Sequence, residues 1–160
     1  MDAGSQSAVE IRRESLAAAA AGTLIRALNA ELEARYPEEG ANHFRLDPEE
    51  VAAGRGAFLI AYQDGEPVGC GAVRRIDGPA AELKRMYVVP ARRGHGVGGA
   101  LLAALEAEGR RLGAVRLVLE TGARQTEAVA LYTRAGFAPI PAWGEYVDSP
   151  LSLCLGKELG

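Results

Sequence analysis

An α/β domain is predicted for this chain by three observations. Apolar strand-like runs alternate with amphipathic helical runs along most of its length. Two of the strand-like runs flank the turn residues Asp64-Gly65-Glu66-Pro67. A third run, Met86-Tyr87-Val88-Val89, leads into the glycine-rich stretch Arg92-Arg93-Gly94-His95-Gly96-Val97-Gly98-Gly99, which leads in turn into a helical run. At 160 residues the chain is long enough to bury a substantial core and too short for two typical domains. Residues 1–7, polar and small, are expected to be disordered, with 8–160 forming the single domain.

The elements follow in order. Ala8 to Arg13 alternates apolar and polar as a first strand does. Leu24, Leu28, Leu32 and Tyr36 recur every four residues, which predicts a helix from about Ser15 to Tyr36, ended by Pro37. Asp47-Pro48-Glu49-Glu50 carries an N-cap, a proline at the first helical position and a glutamate three residues after the cap, so a short second helix is expected there. Ala57 to Gln63 and Val68 to Ile76 form a hairpin, Asp77-Gly78-Pro79 turns the chain, and Ala81 to Val89 is the next strand. Leu101, Leu102, Leu105 and Leu112 mark the buried stripe of a helix that Gly113 caps. Val115 to Glu120 is apolar enough to be a central strand, and Gln125 to Ala135 is a helix ended by Gly136. Pro139, Pro141, Trp143, Gly144 and Pro150 break up the rest, until Leu151 to Leu155 offers a final strand.

Composition excludes several classes of function. A net charge of −3 argues against a nucleic-acid binder, which carries a broad basic face. No apolar run approaches the length that spans a bilayer, and the segment Leu16 to Ile25 behind Arg12-Arg13 is half alanine and amphipathic, unlike an export signal. Cys70 and Cys154 each sit in an apolar strand-like run and read as reduced core residues, which implies a cytoplasmic location. With His43 and His95 as the two histidines and no paired spacing, no metal site is expected.

The glycine-rich stretch is a candidate phosphate cradle. A strand that enters a glycine turn and leaves as a helix points unpaired backbone N–H groups at one spot, with the positive end of the helix dipole behind them. Glycine keeps Cβ atoms out of the way and permits positive φ. Gly94, Gly96 and Gly99, with Glu120 about twenty residues on, also satisfy the dinucleotide pattern G-x-G-x-x-G. However, Pro90-Ala91-Arg92-Arg93 separates the strand from the first glycine, and too little chain remains for a second half of a doubly wound sheet.

A different pattern, Arg/Gln-x-x-Gly-x-Gly/Ala, is met by Arg93-Gly94-His95-Gly96-Val97-Gly98 and resembles the acyl-CoA loop of the GNAT superfamily of N-acetyltransferases. Glu82 to Pro90 resembles the central strand of that superfamily, and Ala128-Val129-Ala130-Leu131-Tyr132-Thr133-Arg134-Ala135-Gly136-Phe137 resembles its A-x-x-LY-x-x-x-GF helix. The three segments cover residues 82 to 137 in the expected order. The resemblance implies a mixed, strongly twisted central sheet with helices on both faces, acetyl-CoA as cosubstrate without a metal, and direct acetyl transfer to an amine in a ternary complex. It also implies that Arg93, Gly94, His95, Gly96, Val97, Gly98 and Gly99 hold the CoA, that the backbone of Met86, Tyr87 and Val88 pairs with pantetheine, and that Gln125 stands where relatives have asparagine. Members often pair through sheet edges or late strands, so a homodimer is expected.

Acetyl transfer from a thioester needs a group to take a proton from the ammonium and a donor for the departing thiolate. Tyr132 occupies the tyrosine of the resembling helix and is the candidate donor; the plain reading is a core tyrosine with a hydrogen-bonded tip. Glu120 ends an apolar strand, where open α/β sheets place ligands, and is the first candidate base; Glu82, at the start of the strand leading to the loop, competes with it. Ordered water is a further route for the proton. Gly136 and Phe137 are cap and packing, and His95, at the variable position, is an exposed side chain. Arg74, Arg75, Lys84 and Arg85 are either solvated edges or a dock for an acidic substrate or the CoA 3′-phosphate. Trp143, Glu145 and Tyr146 are candidates for an acceptor pocket. The acceptor is expected to be a small-molecule amine. A protein N-terminus or lysine, a non-catalytic acyl-CoA-binding module and a dinucleotide-binding domain are the alternatives.

Overall fold

The computed structural model of the chain describes residues 8–38, 46–76 and 78–160. The expected disorder of residues 1–7, His43 and Asp77 lie outside the described residues. In chain order the elements are β1 (Glu10–Arg13), α1 (Ala19–Arg35), a 3-10 turn (Pro48–Val51), β2 (Gly56–Gln63), β3 (Glu66–Arg75), β4 (Ala80–Val88), a 3-10 turn (Pro90–Arg92), α2 (Val97–Arg111), β5 (Arg116–Gly122), α3 (Thr126–Arg134), β6 (Ala138–Pro139), a 3-10 turn (Gly144–Tyr146) and β7 (Ser152–Glu158).

The strands form one mixed sheet in the order β1-β2-β3-β4-β5-β7-β6. Only β4 and β5 run parallel; every other neighbouring pair is antiparallel. A dinucleotide-binding sheet is parallel through its core, so this topology overturns that alternative. The β2–β3 hairpin closes through Asp64 and Gly65 at φ 53° and 79°, the two positive values a two-residue turn of this hand requires.

Helices cover both faces. Leu101, Leu102 and Leu105 of α2 and Tyr132 of α3 pack with Leu83, Leu117, Leu119 and Leu155 on one face. Leu24 and Leu28 of α1 pack with Phe58, Ile60, Cys70 and Tyr87 on the other. β2 and the middle of β3 are therefore buried from both sides, which is why they read as continuous apolar runs. Cys70 and Cys154 are free and buried, as expected for core residues. Burial pushes the Cys70 thiol up to about 12, so it stays protonated and inert.

Two expectations need correction. The segment after Asp47 is a single 3-10 turn, not a helix. Glu50 does reach back to the Asp47 N–H at 2.9 Å, but the chain must enter β2 at Gly56 and has no room for a second turn. β6 is a strand that was not anticipated; it is two residues long and contains a proline, so it carries no alternation to read.

Near the future site, Tyr36 fixes the end of α1 to the end of β5. Its hydroxyl accepts the Arg124 backbone N–H at 2.7 Å, and the Arg124 guanidinium lies 5.0 Å above its ring. A Cβ on Gly122 would overlap that hydroxyl. Gly122→Ala is therefore expected to destabilise by about 1–3 kcal/mol, as overpacked interiors do, lowering Tm by about 2–4 °C per kcal/mol in thermal unfolding.

Candidate active site

The parallel pairing of β4 with β5 is short. It runs from Ala80 opposite Arg116 to Leu83 opposite Leu119 and then stops, although both strands continue. From there β4 pairs with β3 alone and β5 with β7 alone. A bulge in β4 accompanies the separation: Cys70 and Ala72, two residues apart, stand opposite Tyr87 and Lys84, three apart. Within it Arg85 has φ 59°, a conformation that costs a non-glycine residue on the order of 1–3 kcal/mol. The sheet is split at this place, and a cleft of about 960 Å³ opens there. Met86, Glu120, Thr121 and Gly122 line its split edges, Leu28, Leu32 and Tyr36 the α1 side, and Ala128 and Tyr132 the α3 side.

The glycine loop lies at the far end of β4 and is not part of the cleft lining. Gly94 and Gly96 have φ 80° and 86°, and Gly96 caps α2 from the left-handed region. The first helical bond is from the Ala100 N–H to the Gly96 carbonyl, so the N–H groups of Val97, Gly98 and Gly99 have no carbonyl in the helix to reach. A Cβ on Gly98 would come within 3.0 Å of Leu131 and 3.8 Å of Val88, which places this amide cluster against α3 and the end of β4. His95 is exposed. A diphosphate fits such a cradle: amides and helix dipole converge where side chains would obstruct.

The arginines before the loop have partners within the protein. Arg93 donates from Nε to the Val88 carbonyl at 2.8 Å and from Nη2 to Glu31 at 2.7 Å, with its guanidinium 5.5 Å from the Tyr87 ring centroid. It ties β4 to α1, and it occupies the Val88 carbonyl. Arg92 donates to Gln63 at 2.9 Å.

Within the cleft the two candidate carboxylates differ sharply. Glu82 is fully buried and does not line the cleft. Its Oε1 accepts from Arg74 Nε and Nη2 at 2.9 and 2.8 Å, and its Oε2 from the Tyr146 hydroxyl at 2.5 Å. Arg74 also pairs with Glu50. Glu120 lines the cleft and accepts a hydrogen bond from Ser152, whose hydroxyl is 2.7 Å from that of Ser149. Burial, and after it the neighbouring Glu82 and Glu145 charges, hold Glu120 above the usual carboxylate range, against the opposing pull of Ser152 and Lys84.

Tyr132 is buried from α3 with its ring edge-on to Phe137 at 5.8 Å, and it contributes to the cleft lining. Burial and the nearby Glu120 charge both raise its pKa, so the hydroxyl is protonated at any physiological pH. Gln125 lines the cleft at the start of α3 and accepts from Arg35.

The basic group divides. Lys84 and Arg85 line the cleft, with Arg85 Nη1 donating to Asn29 at 2.8 Å. Arg74 serves Glu82 and Glu50, Arg75 donates to the Leu112 carbonyl at 2.9 Å, and neither lines the cleft. Glu145 and Tyr146 line the cleft, but Trp143 does not; it stacks edge-on against Tyr146 at 5.1 Å from outside. Sequence reasoning missed Ser149, Ser152, Asn29 and Tyr36. Of these, Tyr36 alone had a signal, as the last member of the apolar stripe of α1. Among the described residues no cluster of histidine, cysteine or carboxylate side chains has metal-binding geometry, and no helix is long and apolar enough to cross a membrane.

The sequence profile of the acetyltransferase (GNAT) family matches residues 22–137. An IAA acetyltransferase from Azospirillum brasilense is 41% identical over 152 residues, covering 94% of this chain and 98% of that protein. A solved structure from Klebsiella pneumoniae, assigned as an acyl-CoA N-acyltransferase, superposes with a TM-score of 0.80 at 35% identity, covering 95% of this chain and 98% of its own. A GNAT acetyltransferase from Elizabethkingia anophelis, solved with acetyl-CoA bound, shares the fold at a TM-score of 0.66 and 19% identity, covering 94% of this chain and 97% of its own.

Proposed function

Because the chain belongs to the GNAT family of acetyltransferases, we propose that it transfers the acetyl group of acetyl-CoA directly to a primary amine of a small molecule, in a ternary complex. One observation carries this reading: Glu120 and Tyr132 reach the β4–β5 split from opposite sides. Even-numbered positions of β5 face α1, since Leu117 and Leu119 pack toward α2, whereas Tyr132 belongs to the core under α2 and α3.

Acetyl-CoA supplies the acyl carbon and a thiolate leaving group. The Val97, Gly98 and Gly99 amides hold its diphosphate, and the β4 backbone beyond the last β5 pairing, from Met86 to Val88, guides the pantetheine arm into the split. Glu120, ionised and facing the α1 side, takes the proton from the ammonium. The amine nitrogen then bonds to the acyl carbon as the carbon–sulfur bond breaks. Tyr132, on the other side, donates its hydroxyl proton toward the sulfur as negative charge builds there in a site with little water. Glu120 is assigned the base role over Glu82, whose carboxylate is saturated by Arg74 and Tyr146. Glu145 and Tyr146 form part of the acceptor wall.

The cleft volume of about 960 Å³ is within the range of small-molecule sites, and α1 and the 144–152 segment flank it, which favours a compact acceptor over a polypeptide. Titration of amines against free-thiol release tests this; release with peptides alone overturns the small-molecule acceptor. Gly96→Ala is expected to weaken acetyl-CoA binding, because a Cβ at φ 86° costs on the order of 1–2 kcal/mol and moves the amides. Unchanged affinity by calorimetry removes the loop from the CoA site.

A further inference from the structure

The acceptor side of the cleft carries charges of both signs at separate depths. Lys84 follows Leu83, the last β4 residue in register with β5, and Glu120 follows that partner Leu119, so the two face each other across the mouth of the split. Next to Lys84, the positive φ of Arg85 turns its side chain onto the α1 face, where Asn29 fixes the guanidinium at 2.8 Å. Among the described residues Asp64 is the other non-glycine residue with positive φ, and it belongs to a hairpin turn; Arg85 lies inside a strand. Burial lowers its pKa from the usual arginine value, the mark of a cation drawn out of water. The remaining carboxylates of this side, Glu33, Glu38, Glu145 and Asp148, are exposed on the rim, Glu38 in an ion pair with Arg124.

Resting on the amine-acetylation reading above, we infer that the acceptor is a zwitterionic amine, an α-amino acid, with its carboxylate on the Arg85 guanidinium beside Lys84 and its amino group at Glu120. A carboxylate meets a guanidinium through two parallel N–H donors, which fixes orientation as well as position. An α-amino acid holds its two charged groups on one carbon, so anchoring the carboxylate on β4 turns the nitrogen toward the split. The rim carboxylates attract the cationic end and disfavour a second negative charge, so aspartate and glutamate are poor members of the class.

The test compares thiol release, at saturating acetyl-CoA, from α-amino acids and from the amines they give on losing the carboxylate: phenylalanine against phenethylamine, leucine against isoamylamine, lysine against cadaverine. The amino acids are expected to win by roughly ten- to a hundredfold in kcat/KM, the range for a charge-assisted hydrogen-bonded pair. Arg85→Gly, which suits the positive φ, is expected to erase the preference mainly through KM while acetyl-CoA affinity is retained; Arg85→Lys keeps part of it. Equal or better use of the carboxylate-free amines by the unaltered protein overturns the inference and leaves amine acetylation standing, as does a preference that survives Arg85→Gly. If that variant also loses acetyl-CoA affinity, the comparison in the unaltered protein decides. No thiol from either set, with acetyl-CoA bound, overturns both readings.

Discussion

Tyr132→Phe is expected to lower kcat by roughly a hundredfold or more, the loss typical when a positioned proton donor is removed, while acetyl-CoA affinity stays close to that of the unaltered protein. The reasoning is geometric. The ring is held by Phe137 and the α2–α3 core, so phenylalanine occupies the same place. The hydroxyl belongs to a side chain that lines the cleft, so its removal opens no void inside the core. Burial keeps the group protonated, which makes it a reluctant acid toward water but a competent donor to a desolvated sulfur gaining charge. Retained binding with lost turnover, read by calorimetry and thiol release, is the expected pair of results. A variant with unaltered kcat removes Tyr132 from the chemistry and makes it a core tyrosine.

Glu120→Gln is expected to lower kcat by roughly 10²–10⁴-fold and to abolish the acidic limb of the pH–rate profile. With Glu120 raised above the ordinary glutamate value of about 4.3, chiefly by burial, the base is protonated and inactive at low pH and becomes competent as pH rises through its folded-state pKa. That limb therefore lies above the usual carboxylate range in the unaltered protein. The same shift sets the sign for stability. A carboxyl whose pKa is raised by folding contributes stability that is complete below its unfolded pKa and is lost as pH rises through the folded value. Replacing it with a neutral amide should then leave thermal stability at neutral pH unchanged or higher, even as activity falls. A profile in Glu120→Gln that keeps its acidic limb assigns the base elsewhere, with Glu82 the next residue to test.

Local chemistry was legible in the sequence where one segment sufficed to specify it. Asp64-Gly65 announced the hairpin because few residues tolerate two successive positive φ values, and both were found there. The glycines at 94, 96 and 98 announced a helix entry with exposed amides, and Gly96 is the cap itself. The four-residue stripe of α1 placed Leu24 and Leu28 in the core. What stayed hidden depends on register between distant segments. Arg74 and Glu82 are direct cross-strand neighbours, a fact invisible until β3 and β4 are aligned, so their ion pair read as a basic dock on one side and a candidate base on the other. Ser152 reaches Glu120 only because β7 inserts between β5 and β6. The β4 bulge left no trace either, since arginine is an uncommon choice for a positive φ. The short helix expected after Asp47 failed for a related reason: good capping residues start a turn, but the hairpin that follows ends it.

The claim on which everything else depends is that the split between β4 and β5 separates a CoA side, served by Tyr132, from an acceptor side, served by Glu120. A crystal structure of the protein with coenzyme A and an amine acceptor tests it most directly. The predicted result has the diphosphate on the Val97–Gly99 amides, the thiol sulfur within hydrogen-bonding reach of the Tyr132 hydroxyl, and the amine nitrogen within reach of Glu120 from the α1 side. A sulfur remote from Tyr132, or an amine and thiol entering from the same face of the sheet, would contradict the account.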